Sequence, residues 1–228
     1  MLNASISTSV DLHECREYIA VLPLGSVEYH GEHLPIAIDS LIALRLAEEL
    51  SERLDVIDDV CMLVLQPINY GFSVEWSDLF SVSLRPETLL NVLRDLHSSL
   101  SKTRGFKGLL ILNAHGGNTS IVDVFIREAT FILRSRAAAV DIWKLAKQLG
   151  LEYCHACPLE VELAKYLGVE TYGGGDVSEA RLSPKDYIAY ASAGPGCFGK
   201  ELGLGEFMDS LINAFREAVK HIIKTSQH

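Results

Sequence analysis

Apolar runs of strand length alternate along the chain with longer stretches in which apolar residues recur at helical spacing. Residues 18–24 (YIAVLPL) form a short apolar run, and residues 40–54 (SLIALRLAEELSERL) carry apolar positions three and four apart. Residues 60–65 give a second strand. Pro86 stands where a first-turn proline would, opening a helix that stops at Gly105. Residues 107–113 (KGLLILN) predict a third strand, 119–136 a third helix, and 137–143 (AAAVDIW) a fourth strand. A closing amphipathic helix over 205–225 puts Phe207, Leu211, Ala214, Val219 and Ile222 on its core-facing stripe. Strands alternating with helices imply an α/β three-layer sandwich with a mostly parallel central sheet, and the length fits one domain over residues 1–228.

In such sheets ligands bind beyond the carboxyl ends of the strands, so the loops after the first three strands come to one rim. The first carries Glu28, His30, His33 and Asp39. Glu28 and His30 are two apart, so on extended backbone both leave the same face. Imidazole nitrogen with carboxylate oxygen suits zinc, manganese or ferrous iron, and one carboxylate can bridge two ions. The alternative is a set of solvated loop residues, with Asp39 only the N-cap of the following helix. The second loop brings Asn69, Glu75 and Trp76 to the rim, with Trp76 a candidate substrate contact. The third reads Asn113-Ala-His115-Gly-Gly-Asn118. Gly116 and Gly117 lack Cβ atoms and leave room for an ion and a substrate to approach, with Asn118 beside them. His115 supplies the nitrogen still missing from a two-ion site.

Composition narrows the rest. The formal net charge is −10 and no run of Lys or Arg exceeds a pair, which excludes a phosphate-tracking surface; no nucleic acid partner is expected. No apolar run approaches the ~20 residues of a membrane span, and the first residues lack a basic and then apolar leader, so a cytoplasmic protein without membrane contact is expected. Five cysteines, an odd number, do not make a disulfide framework. Cys154-His-Ala-Cys157 has neither a thioredoxin-type setting nor a second CxxC, so its cysteines read as small buried apolar groups, a thiol or redox protein remaining the alternative. The Gly-rich runs at 172–176 and 199–205 lack a Walker Lys-Ser/Thr pair and read as loops, as does 194–199. Gly25-Ser26 is not a nucleophile elbow, and Ser26 has no catalytic role.

Three segments together resemble the creatininase family, the creatinine amidohydrolases and their relatives. They are Pro23-Leu-Gly-Ser-Val-Glu28-Tyr-His30-Gly-Glu-His33-Leu-Pro-Ile with Asp39 following, then Asn113-Ala-His115-Gly-Gly-Asn118, then His155-Ala-Cys-Pro-Leu-Glu160. The resemblance implies a creatininase-like fold with two divalent ions per subunit (Zn, Fe or Mn). Glu28 and His115 would hold one ion and His30 the other, with Asp39 bridging and His33 touching neither. It also implies hydrolysis of a small-molecule amide at a C–N bond: creatinine, a formylamino pyrimidine nucleotide, or a peptide cofactor precursor. A homo-oligomer, commonly a hexamer, goes with it. An amide needs an activated water and a proton for its departing nitrogen, and His155 or Glu160 is the expected catalytic proton carrier.

The chain departs from the family at three places. Cys157 stands for a glycine, and Val161 and Glu162 for Thr-Ser. Glu75-Trp76 replaces Glu-His and is followed by Leu79-Phe80-Ser-Val-Ser, which gives the pocket a wall of its own. Creatininase has Tyr-Glu where this chain has Gly116-Gly117, and that Glu is an extra ligand. The second ion is therefore left with an open position or with Glu160, and creatinine becomes a less favoured substrate than a formylamino pyrimidine nucleotide. A member that keeps the fold and a metal but turns nothing over is the other class consistent with these changes.

Overall fold

The first apolar run becomes the central strand. The computed structural model describes residues 1–54, 56–57, 59–151, 155–172 and 203–224. Its six strands are β1 (Leu2–Asn3), β2 (Glu17–Leu24), β3 (Val56–Ile57), β4 (Val60–Val64), β5 (Phe106–Asn113) and β6 (Ala137–Asp141). They lie in the order β1-β4-β2-β5-β6, all parallel, with the two-residue β3 antiparallel beside β4. From β2 the chain passes through α2 (Ile38–Arg53) to β4 on one side. It then crosses through α3 (Pro86–Leu100) to β5 on the other side. The loop after β2 thus sits where the winding reverses, the usual ligand position in such sheets.

Successive strand residues feed opposite cores. Ile19, Val21, Leu110 and Leu112 pack with α2, α6 (Pro158–Tyr166) and α7 (Leu204–Lys224). Tyr18, Ala20, Leu22, Leu109 and Ile111 pack with α3 and α4 (Thr119–Arg127). Both faces are covered, so the strands read as continuous apolar runs rather than alternating ones.

Several boundaries differ from the sequence reading. The helix expected over 119–136 ends its α turns at Arg127, passes through a π turn over Glu128–Ile132 and reverses at Arg134 (φ 52°) to enter β6. The strand expected to reach Trp143 stops at Asp141, whose carboxylate accepts the N–H groups of Trp143 and Lys144 and starts α5 (Ile142–Gln148). In α7, Phe207, Leu211, Val219 and Ile222 are buried as expected, and Met208 and Phe215 complete the stripe, with Ala214 half-buried. Cys154 and residues 173–176 and 194–202 lie outside the described residues, while the end of the run read as a loop over 199–205 is helical, since α7 starts at Leu204.

The cysteine expectation needs a correction. The short α1 (Ser9–Glu14) is started by a Thr8–Asp11 capping box and delivers Cys15 to β4, where it forms a disulfide with Cys61. Tyr18 pairs in register with Cys61, so the turn into β2 places two residues 46 apart in sequence side by side. Closing a loop of that length restrains the unfolded chain by about 4 kcal/mol in the chain-entropy treatment. Reductant should therefore lower Tm by about 8–16 °C, and Cys15→Ser should abolish that response; unchanged melting under reductant would contradict it.

Candidate metal centre

Glu28 lies beyond the end of β2 and is fixed by backbone. Its N–H donates to the Ile36 carbonyl (2.8 Å), and it bridges Ser81 in antiparallel fashion. Gly25 precedes it because a Cβ there would lie 2.4 Å from the Ser40 backbone, so the strand exit can rest directly on α2. Asp39 falls in the first turn of α2, whose N-cap is Ala37 without a side-chain cap bond, so its carboxylate is free of the capping role. Glu160 occupies the first turn of α6 after Cys157 and Pro158, and its Oε2 accepts the Ala156 N–H at 2.9 Å. Both helix starts ease the cost of a buried negative charge.

These side chains converge. Glu28, His30, Asp39, His115 and Glu160 are all buried, at 0 to 6 % exposure, and His155 is half-buried beside them. Ligand-type atoms within 4.8 Å of one another form the groups Glu28/Asp39/His115, His30/Asp39/Glu160 and Glu28/His30/His155. His115 Nδ1 stands 2.9 Å from Asp39 Oδ2 and 3.3 Å from Glu28 Oε1. His30 Nε2 stands 3.3 Å from Asp39 Oδ1 and 3.7 Å from Glu160 Oε1. His155 Nδ1 stands 3.4 Å from Glu28 Oε1.

The three imidazoles share one arrangement. His30 Nδ1 contacts the Glu28 carbonyl (3.0 Å), His115 Nε2 the Phe72 carbonyl (2.9 Å), and His155 Nε2 the Tyr29 carbonyl. A carbonyl only accepts, so each of these nitrogens carries the proton, and the other nitrogen of each ring is aimed at carboxylates. That is how metal-ligating histidines are oriented. His30 Nε2 and Asp39 Oδ2 are buried without a hydrogen-bond partner despite their close neighbours, because the approaches are off the hydrogen-bond line. Each orphaned atom faces the ligand-type atoms of its own group, His30 Nε2 toward Asp39 Oδ1 and Glu160 Oε1 and Asp39 Oδ2 toward His115 Nδ1, an arrangement that fits a cation at each.

Without an ion, protons must do the neutralising. Burial alone would depress His30, but Asp39 and then Glu160 outweigh it and raise the imidazole to about 9. Burial is likewise overcome at His115, which Asp39 and Glu28 hold well above its ordinary value. At Asp39, burial is outweighed by His30 and His115, and the carboxyl sits well below the usual range. Burial, with Asp39 and Glu28 adding to it against His30, pushes Glu160 up to about 8. His155 goes the other way: burial and then His30 pull it down to about 4.

The raised His30 and Glu160 bind protons more tightly folded than unfolded, so their contribution is fully present below ordinary values of 6.5 and 4.5 and is lost as pH rises through about 9 and about 8. The ion-free chain should therefore lose stability between neutral pH and pH ~9, and added divalent ion should reverse the loss. Ion uptake near pH 7 should release on the order of two to three protons, readable by calorimetry in buffers of different ionisation enthalpy. Uptake without proton release would contradict the assignment.

The surrounding residues sort by contact. Gly117 has no room for a Cβ, which would meet the Phe72 carbonyl at 2.1 Å and His115 Nε2 at 2.6 Å, so this glycine lets the backbone reach the imidazole. A Cβ on Gly116 would meet nothing within 4 Å, and this glycine is exposed. Asn118, expected beside the substrate, is wholly buried instead. Its amide holds the Gly25 carbonyl (3.0 Å), the Phe72 N–H (2.9 Å) and Asn113 Oδ1 (3.3 Å), clasping the three loops together. Trp76 stacks on His155 with ring centroids 4.4 Å apart and planes 20° apart. His33 is not in the cluster; its Nδ1 contacts the Tyr172 carbonyl at 3.2 Å. The sequence reading missed Ser73, a buried hydroxyl that donates to Glu28 Oε2. No spacing signal marks it.

Known proteins share this chain's sequence over part of its length and its fold over nearly all of it. The chain is 34% identical over 113 residues to the mycofactocin precursor peptide peptidase of Mycolicibacterium smegmatis, covering 49% of this chain and 44% of that protein. It is 31% identical over 159 residues to the 2-amino-5-formylamino-6-ribosylaminopyrimidin-4(3H)-one 5'-monophosphate deformylase of Methanobrevibacter ruminantium, covering 66% of this chain and 59% of that protein. The matches thus span less than two thirds of either relative. A solved structure described as manganese creatininase superposes with a TM-score of 0.66 at 19% identity, over 96% of this chain and 97% of the other, which shows the shared fold. A family model described as creatinine amidohydrolase matches residues 6–186, and the chain belongs to the creatininase family.

Proposed function

We propose that the chain is a metal-dependent amidohydrolase that cleaves the C–N bond of a small amide. The observation that carries this reading is the common arrangement of His30, His115 and His155, each anchored to a backbone carbonyl by one nitrogen and aimed at buried carboxylates by the other. Glu28, Asp39 and His115 would hold one ion; His30, Asp39 and Glu160 would hold the other, with Asp39 shared. Glu160 thereby becomes a ligand rather than the proton carrier. When bound, such ions lower the pKa of a coordinated water to ~7 and polarise the amide carbonyl.

The proton work falls to His155. Held near 4, it is neutral at pH 7, and its Nε2 is committed to the Tyr29 carbonyl, so Nδ1 is the basic atom. It takes the proton of the attacking water at Nδ1 and gives it to the departing nitrogen. Trp76 covers one face of the ring and fixes its plane. The substrate reaches the centre past Gly116, which is exposed and presents no side chain.

For the substrate we favour a formylamino pyrimidine nucleotide. The deformylase relative matches 66% of the chain, and Gly116-Gly117 supplies no side-chain ligand after His115. The same reading includes a closed homo-oligomer, a hexamer, in the cytoplasm. No helix among the described residues is long and apolar enough to cross a membrane. The test is steady-state turnover of the ion-loaded protein on formylamino pyrimidine nucleotide, creatinine and short peptides. Preference for the first is expected, a clear preference for creatinine or peptide would overturn the substrate, and no amide turnover at all would overturn the hydrolase. Sedimentation as a monomer at micromolar concentration would defeat the oligomer.

A further inference from the structure

We propose that Ser73 is a positioning residue that restricts Glu28 to one ligating oxygen, so that the loop after β4 sets the affinity of one ion position while contributing no ligand to it. This rests on the two-ion reading above. Glu28 lies outside any helix or long strand, and a glutamate's terminal torsion is broad and roughly two-fold, so its carboxylate could offer either oxygen or both. The structure removes that freedom. Ser73 is fully buried and its Oγ donates to Glu28 Oε2, which leaves Oε1 as the oxygen facing His115 Nδ1 at 3.3 Å.

The hydroxyl is itself held in place. Its oxygen lies 2.9 Å from Ser81 Oγ, Ser81 Oγ donates to the Ser73 carbonyl, and the Ser73 N–H donates to Ser83 Oγ at 2.9 Å. A hydroxyl has one proton: that of Ser81 goes to the Ser73 carbonyl, and because a carboxylate only accepts, that of Ser73 goes to Glu28. Ser81 also pairs with Glu28 through the backbone bridge, so the two segments cannot slide apart without breaking both contacts. The same loop presents the Phe72 carbonyl to His115 and Trp76 to His155. One ligand-free loop thus reaches three groups of the centre, and Ser73 is its contact with a ligand carboxylate.

The experiment is Zn²⁺ binding in competition with a chromophoric chelator, on the wild-type chain, Ser73→Ala and Ser73→Cys, with melting temperatures and Co²⁺ absorption spectra alongside. Loss of an outer partner of a metal ligand costs ~10–100-fold in affinity. One of the two Zn²⁺ sites should weaken by that factor in Ser73→Ala while the other holds, and the Co²⁺ spectrum of the weakened site should change. Ser73→Cys, of similar size with a weaker donor, should fall between, and it carries the same test if the alanine variant does not fold. Both sites binding as in wild type, or both weakening equally with a drop in melting temperature, would overturn the positioning role. A wild-type chain that takes up no Zn²⁺ would instead overturn the two-ion reading itself.

Discussion

Asp39→Ala should empty the centre and take turnover below detection. Asp39 is the residue common to the two groups that can be filled together, with one oxygen 3.3 Å from His30 Nε2 and the other 2.9 Å from His115 Nδ1. It is 2 % exposed, and its two oxygens approach the two imidazoles more closely than Glu28 Oε1 does, at 3.3 Å from His115 Nδ1 and 3.9 Å from His30 Nε2. Removing an outer partner of a ligand already costs ~10–100-fold in metal affinity, and removing the bridging ligand costs more. If Asp39 served only the helix start, the alanine variant would lose about 0.5–2 kcal/mol of stability and keep its ions. The N-cap at Ala37 speaks against that role. Ion content and kcat on the purified variant separate the two: they fall together if Asp39 bridges.

His155→Ala should lose rate without losing ions. His155 belongs to neither group of the complementary pair, so both ions should remain while kcat falls by roughly 10²–10⁴, the range for positioned acid–base catalysis. Its low pKa places the acid limb of the wild-type rate profile well below neutrality, because the base is lost only when Nδ1 is protonated. A variant with near-normal kcat would remove His155 from the mechanism. A variant that loses one ion along with its rate would make His155 a ligand of the Glu28/His30/His155 group.

The strands and the long helices were legible in the sequence because their apolar runs are long and bounded by Pro, Gly or charged turns, as at Pro86 and Gly105. α5 was not, because seven residues are too few for a helical period to show against the apolar end of β6; only Asp141 as a potential N-cap hinted at it. Glu28, His30, Asp39 and His115 could be placed on one rim because topology alone carries strand ends there. Glu160 was harder. Whether it meets His30 or the substrate depends on how α6 packs beside α2, and pattern does not encode that packing. Asn118 looked like a rim residue, yet its amide is consumed by the three loops it joins, a fate set by contacts from distant segments. Ser73 and the Cys15–Cys61 pair were invisible for the same reason.

Elemental analysis of the chain after reconstitution with Zn²⁺, Mn²⁺ or Fe²⁺ and removal of excess ion tests the central claim most directly. The two groups that share Asp39 and the orphaned His30 Nε2 and Asp39 Oδ2 predict two divalent ions per chain, lost together in Asp39→Ala. A content of zero for every ion, or two ions retained when Asp39 is replaced, would contradict the account.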